Sequence, residues 1–292
     1  PPFFIPMIEW MKNEYHCMYI EAIHCFTPPG IRENIKKKYV KMIYLRPGID
    51  LNYQIEHVQK RSEYMARILK VLANHEKLSH GKLSMDKVIE MTDAPLSSFK
   101  ALEKRKLIDI VKQEVFRDPW QKTKSTAKIP LKLTQEQEKA VSTIGGAIGK
   151  GPHKFILHGV TGSGKTEVYI RSVEIAIAQK KQAIVLVPEI SLTPQTIDRF
   201  KSRFGDQVAV LHSKLSNGER FDEWRKIRNG LVSIVVGARS AVFAPFTNLG
   251  IIIIDEAHED SYKSDSRPRY HTIDVARMRC INENAVMVLG TA

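Results

Sequence analysis

An α/β fold is expected for most of this chain: a parallel sheet covered by helices on both faces, preceded by a small α+β domain. Two observations predict the sheet. From residue 133 onward the strand-like runs HKFILHGV, QAIVLVP, QVAVLHS, VSIVVGA, GIIIIDEAH and AVMVLGTA recur, with the helical patterns GKTEVYIRSVEIAIAQK, LTPQTIDRFKSRF and GERFDEWRKIRNG among them. These runs are near-continuously apolar and β-branched, as strands buried on both faces must be. The third observation concerns the smaller domain. Residues 85–116 read as two short helices followed by a strand or hairpin, the order of a winged helix.

Taken in order, residues 7–23 form an apolar-rich helix candidate, ended by TPPG, which cannot continue a helix. The chain has no initiator Met and begins as if inside a folded segment, so truncation at this end is expected. YQIEHVQKRSEYMARILKVLAN, residues 53–74, carries apolar positions three and four apart, as one amphipathic helix would. After a turn at His80 and Gly81, residues 85–91 and 94–106 are read as the helix pair and LIDIVKQEVF as the strand that follows. The second helix of such a pair can enter a groove of duplex DNA, with Lys100, Lys104, Arg105 and Lys106 on phosphates. The same charges would also suit a solvated face or a protein-binding module. A winged-helix domain is assigned to residues 31–117. Residues 118–132, DPWQKTKSTAKIPLK, lack an apolar period and read as a linker to the lobe at 133–292.

Composition bounds the function without fixing it. The 292 residues are 43% hydrophobic and carry a net charge of +13, which is ordinary globular composition with a basic surface that attracts polyanions. Cys17, Cys25 and Cys280 form no even disulfide set and no zinc-ligand spacing, as expected of a reducing, cytoplasmic setting. The longest apolar run, near residues 250–254, is too short for a bilayer, and the first residues lack the features of a signal peptide. No membrane role is expected.

The chemistry concentrates in two motifs. GVTGSGKT, residues 159–166, fits G-x-x-x-x-G-K-[ST] between a strand and a helix. Gly159, Thr161, Gly162, Ser163 and Gly164 would close backbone N–H groups around phosphate oxygens. Lys165 would reach the β- and γ-phosphates, and the Thr166 hydroxyl would ligate Mg²⁺. About ninety residues later IIIIDEAH runs a buried strand into two carboxylates. Asp255 is expected on Mg²⁺ and Glu256 on the attacking water, as in parallel-sheet NTPases.

These two motifs resemble motifs I and II of the superfamily-2 helicases, whose motor lobes are RecA-like P-loop NTPase folds. VPEISLTPQ, LHSKLSNGERFDEW, VVGARSAVFAPFTNLG and SYKSDSRPRYHTIDVA sharpen the resemblance to the bacterial primosomal helicases, closely over about residues 130–292 and in consistent order before them.

The resemblance implies further roles. Gln137, in LTQEQEKAV, would read adenine. Pro188, Glu189 and Thr193 (motif Ia), with Gly237, Arg239 and Ser240 (the GARSA element), would contact or couple to single-stranded DNA. His258 would link the nucleotide site to the DNA side. Tyr262, Lys263, Arg267, Arg269, Tyr270 and His271 resemble an aromatic-rich loop that couples DNA binding to hydrolysis, its aromatic faces suited to stacking bases and its arginines to phosphates. Ala257 stands where the family commonly has Glu, with little expected effect on chemistry.

At the level of the whole protein, the resemblance implies ATP-dependent 3′–5′ helicase action in replication restart and primosome assembly, on single-stranded and forked DNA. Primosome proteins and single-stranded-DNA-binding protein would be its partners. A second motor lobe and a zinc-binding segment would lie beyond residue 292, so zinc is not expected here, and residues 1–30 would be a remnant of a 3′-end-binding domain. Two other readings stay open: a DNA-structure-binding module with a regulatory nucleotide site, and another superfamily-2 translocase.

Overall fold

The computed structural model describes residues 4–28, 31, 35–79, 83–117, 132–160 and 162–292. They divide into two compact units, Lys36–Phe116 and a larger one made of Pro1–Ile35 with Arg117–Ala292. The expected linker lies outside the described residues except for Lys132.

In the larger unit six parallel strands form one sheet in the order β4-β9-β8-β5-β7-β6. They are β4 (His153–His158), β5 (Gln182–Leu186), β6 (Val208–Leu211), β7 (Ile234–Gly237), β8 (Leu249–Ile254) and β9 (Val286–Thr291). Alternate side chains supply two cores, which is why β5 to β8 read as unbroken apolar runs. Ala183, Val185, Ile234, Val236, Ile251, Ile253 and Val288 face α7 (Gln135–Ala147), α8 (Lys165–Ala178) and α9 (Pro194–Phe204). On the opposite face Ile184, Leu186, Val235, Ile252 and Ile254 pack with α10 (Asn217–Arg228) and α11 (Thr272–Glu283).

That second face is also covered by the start of the chain. The expected single helix at 7–23 is two, α1 (Phe4–Glu14) and α2 (Tyr19–Phe26). His16, in the left-handed region at φ 47°, turns the chain between them, and the Met18 N–H donates to Glu21 Oε2 at 2.8 Å to start the second. Met7, Met11, Ala22 and Phe26 are buried in the core of the larger unit. The Phe26 ring lies 4.7 Å from Phe4 and 4.9 Å from Phe243, a burial that stabilises by about 1.5–3 kcal/mol. The expected domain limits at 30 and 117 fall at 35 and 116 between the compact units, and residues 4–26 form a layer of the larger one.

A capping box starts α7: the Thr134 hydroxyl accepts from the Gln137 N–H at 3.3 Å, and Gln137 Oε1 accepts from the Thr134 N–H at 3.0 Å. Thr134→Ala is expected to lower stability by about 1 kcal/mol, measured as a drop in the urea midpoint at unchanged slope. An unchanged midpoint would show that the cap contributes nothing.

The smaller unit is a three-stranded antiparallel sheet, order β2-β1-β3, with four helices. β1 (Lys38–Leu45) pairs with β3 (Ile108–Val115) along its full length, and β2 (Leu83–Ser84) flanks it. The expected helix at 53–74 breaks at residues 60–62 into α3 (Leu51–Gln59) and α4 (Glu63–Ser79). α5 (Met85–Thr92) and α6 (Leu96–Lys104) form the helix pair, joined through Asp93 in the left-handed conformation. Ile43, Val58, Ile68, Leu69, Val88, Phe99, Leu102 and Ile108 form its core.

Candidate functional site

All six strands of the larger unit run the same way, so their carboxyl ends open on one edge of the sheet, where such folds bind ligands. β4 delivers the phosphate loop there and β8 the two acids, with β9 between them. Gly162 and Gly164 hold φ of +85° and +84°, a conformation that side chains rarely adopt, and α8 starts directly after Gly164 with its N–H groups at the loop. Lys165 Nζ donates to the Gly159 carbonyl at 2.5 Å and lies 3.7 Å from Glu256 Oε1. Gln137 leans on the same loop, its Nε2 donating to Ser163 O at 3.0 Å. A Cβ on Gly164 would sit 2.5 Å from that nitrogen, so the glycine admits the glutamine. Thr161 lies outside the described residues.

Asp255 and Glu256 leave β8 through backbone bonds that fix both. The Asp255 N–H donates to Leu186 O at 2.8 Å, the Glu256 N–H to Asp255 Oδ1 at 3.1 Å, and the Ala257 N–H to Gly290 O at 2.7 Å. Glu256 has φ 43°, a left-handed conformation that costs a non-glycine residue on the order of 1–3 kcal/mol and is common at working sites. Tyr169, on α8, donates its hydroxyl to Asp255 Oδ1 at 2.8 Å. Burial raises the Asp255 pKa, and the Tyr169 bond opposes that rise. The Tyr169 phenol is itself pushed far up, first by burial and then by the Asp255 charge, so it stays a donor.

The donor chemistry suits Mg²⁺ with a polyphosphate. Thr166, Asp255 and Glu256 offer hard oxygens, and the loop amides and Lys165 offer the positive side. His258 lies beside them, its Nδ1 3.2 Å from Thr291 Oγ1 at the end of β9 and 3.8 Å from Glu256 Oε2.

The carboxyl ends of β5 and β7 carry the other expected residues. Pro188 and Glu189 open the turn after β5, where Glu189 accepts from the Ser213 hydroxyl. The Thr193 hydroxyl caps α9 by accepting from the Thr196 N–H at 3.3 Å. Gly237 ends β7 so close to Leu211 O and the Ala241 side chain that a Cβ would overlap both. Arg239 and Ser240 begin the 3-10 turn Arg239–Phe243, with Ser240 exposed. Arg239 Nη1 donates to Lys263 O at 2.5 Å and to Asp265 Oδ2 at 3.2 Å, which ties that turn to the loop after the acids.

In that loop one expectation is corrected. Tyr262 and Tyr270 are 1% and 6% exposed, so neither ring presents a face to a base. The Tyr262 hydroxyl instead donates to Asp255 O at 2.6 Å, with Leu186 O 3.2 Å away. Tyr270 packs edge-on against Phe243, with ring centroids 5.0 Å apart. Lys263, Arg267 and Arg269 are exposed, and His271 caps α11, its Nδ1 accepting from the Ile273 N–H at 3.3 Å. In the smaller unit Lys100 and Lys104 stand on the exposed side of α6 and Arg105 is exposed at its C-cap, while Phe99 and Leu102 face the core.

Two groups at the site escaped the sequence reading, Tyr169 and Gly290. The available signals were a tyrosine four residues after Lys165, on the same helix face, and a glycine inside a strand, which marks a close approach.

A protein-family model described as DEAD/DEAH box helicase matches residues 134–292, which contain this arrangement. Replication restart protein PriA of Bacillus subtilis (strain 168) is 46% identical over 264 residues, covering 90% of this chain and 32% of that protein. The protein of the same name from Chlamydia trachomatis serovar D is 36% identical over 294 residues, covering 100% and 38%. The one from Synechocystis sp. is 38% identical over 291 residues, covering 96% and 34%. The chain spans about a third of the length of these curated relatives.

Proposed function

The chain belongs to the DEAD/DEAH box helicase family, and from that premise we propose that it is the ATP-binding lobe, with an attached DNA-binding module, of a 3′–5′ DNA helicase acting in replication restart. The observation that carries this reading is the convergence of Lys165, Asp255 and Glu256 at the carboxyl ends of strands in one parallel sheet, Lys165 Nζ being 3.7 Å from Glu256 Oε1. The similarity to replication restart proteins supports the choice of pathway.

In this mechanism the amides of residues 162–166 and the Lys165 ammonium bind the β- and γ-phosphates of ATP, and Gln137 reads the adenine. Thr166 and Asp255 would hold Mg²⁺, which when bound would neutralise charge that builds on the phosphates. Glu256 orients the attacking water and takes its proton on the carboxylate. His258 and Thr291 connect that carboxylate to β9, while Tyr262 connects the acid strand to a loop whose Lys263, Arg267 and Arg269 meet DNA phosphates. Pro188, Glu189, Thr193, Gly237, Arg239 and Ser240 line the same DNA path. The smaller unit acts as a winged helix: α4, β2, α5, α6 and β3 follow its order, with β1 standing in as the wing partner. Its Lys100, Lys104 and Arg105 bind duplex phosphates at a fork. In the cell the protein is cytoplasmic and works with primosome proteins and single-stranded-DNA-binding protein.

The described residues form one such lobe, so the arginine that a second lobe supplies to the γ-phosphate in related NTPases, an effect of about 10³–10⁵ in rate, is not among them. The chain is therefore expected to bind a fluorescent ATP analogue with Mg²⁺, to bind it more tightly with forked DNA, and to hydrolyse ATP poorly in either case. Titration and a phosphate-release assay check this. Rapid DNA-stimulated turnover would refute the shared-site mechanism. Fork binding with no nucleotide binding would favour a DNA-structure-binding module, against which the intact set of Lys165, Thr166, Asp255 and Glu256 weighs.

A further inference from the structure

We infer that Tyr169 is a positioning residue for Asp255, its hydroxyl fixing which carboxylate oxygen is left to face metal-bound water. The inference rests on the nucleotide-site reading above. Tyr169 follows Lys165 by one helical turn on α8, so the helix that begins at the phosphate loop also carries the group that touches the acid. Its ring is 2% exposed in the core between sheet and helix. Packing alone would be met by phenylalanine, whereas a buried hydroxyl is costly unless it is bonded. Here it donates to Asp255 Oδ1 at 2.8 Å.

The same oxygen accepts the Glu256 N–H at 3.1 Å. Two donors on Oδ1 hold the carboxylate against rotation, and Oδ2 is left for a ligand. On the far side stands Gly290 in β9. A Cβ at that position would overlap the tyrosine hydroxyl and lie 3.2 Å from Asp255 Oδ1. The strand therefore needs glycine so that the hydroxyl can reach the acid. Tyr169, Asp255 and Gly290 form one steric unit that joins the phosphate-loop helix to the two strands beside it.

The test uses this chain and a fluorescent ATP analogue, titrated in EDTA and at increasing Mg²⁺, on wild type, Tyr169→Phe, Gly290→Ala, the double variant and Lys165→Ala. Tyr169→Phe is expected to leave EDTA affinity unchanged and to raise the half-saturating Mg²⁺ about tenfold, the effect of one hydrogen bond to a charged group. Gly290→Ala should act in the same direction but cost less in the phenylalanine background, where the missing oxygen leaves room for the methyl. Equal Mg²⁺ dependence in wild type and Tyr169→Phe, or equal losses of affinity with and without Mg²⁺, overturns the inference alone, provided Lys165→Ala still abolishes binding. If Lys165→Ala binds like wild type, the nucleotide-site reading falls and takes the inference with it. Tyr169→Phe removes one buried oxygen and keeps the ring, so the decision does not depend on Gly290→Ala folding.

Discussion

Lys165→Ala is expected to weaken Mg²⁺-nucleotide binding by at least about 100-fold, the largest change any single substitution should make at this site. The Lys165 side chain is 9% exposed and its ammonium is held between Gly159 O and the Glu256 carboxylate. A phosphate oxygen entering the loop would take over both contacts. Each hydrogen bond from a charged donor contributes about 1.5–3 kcal/mol, and two of them multiply to roughly 10²–10⁴ in affinity. Lys165→Arg should not restore binding, because a planar fork cannot replace a compact ammonium in a closed loop. Titration with the fluorescent analogue checks both variants. Affinity within threefold of wild type for the alanine variant would mean that phosphates do not bind here.

Arg279→Ala should destabilise the larger unit by about 3–5 kcal/mol, the range for breaking a buried, bonded charge pair. Arg279 is 0% exposed. Its Nη1 donates to Val242 O at 2.5 Å and Ala244 O at 3.0 Å, and its Nε to Glu283 Oε1 at 2.8 Å. Losing the guanidinium strands a nearly buried carboxylate and two carbonyls. For a unit of this size the thermal midpoint should fall by roughly 6–20 °C, read on that unit's transition by calorimetry. Pairing Arg279→Met with Glu283→Leu should recover much of the loss, since no charge is then left unpaired. A fall of less than about 2 °C in the single variant would show that the pair contributes little.

The parallel sheet and the phosphate loop were legible because each depends on local pattern. Runs such as IIII and AIVLV are apolar at every position, and GSGKT places its glycines where a turn needs positive φ. What escaped was set by partners distant in sequence. β1 carries Lys38 and Lys41 among its apolar residues, so no clean alternation marks it, and β3, legible as a strand or hairpin, has a partner some seventy residues earlier that nothing local names. Tyr262 and Tyr270 looked like stacking platforms because aromatic rings beside arginines suit nucleic acid. Their burial follows from tertiary packing against Phe243 and from the carbonyls of Leu186 and Asp255. The apolar positions Met7, Met11 and Ala22 were visible as helical, Phe26 fell past the expected end at residue 23, and nothing local identifies the sheet face they cover.

The split make-up of the larger unit also sets an order of events during synthesis. α1 and α2 are translated long before the surface they cover, since Phe26 meets Phe243, 217 residues later. At about 5–20 residues per second the delay is roughly 10–40 s. The intervening smaller unit can close early, because β1 and β3 both emerge by residue 115. Until then Met7, Met11, Ala22 and Phe26 lack the sheet face that covers them in the folded unit. For this protein the ribosome's pace after residue 116 governs how long a nascent chain displays surface that a chaperone would recognise.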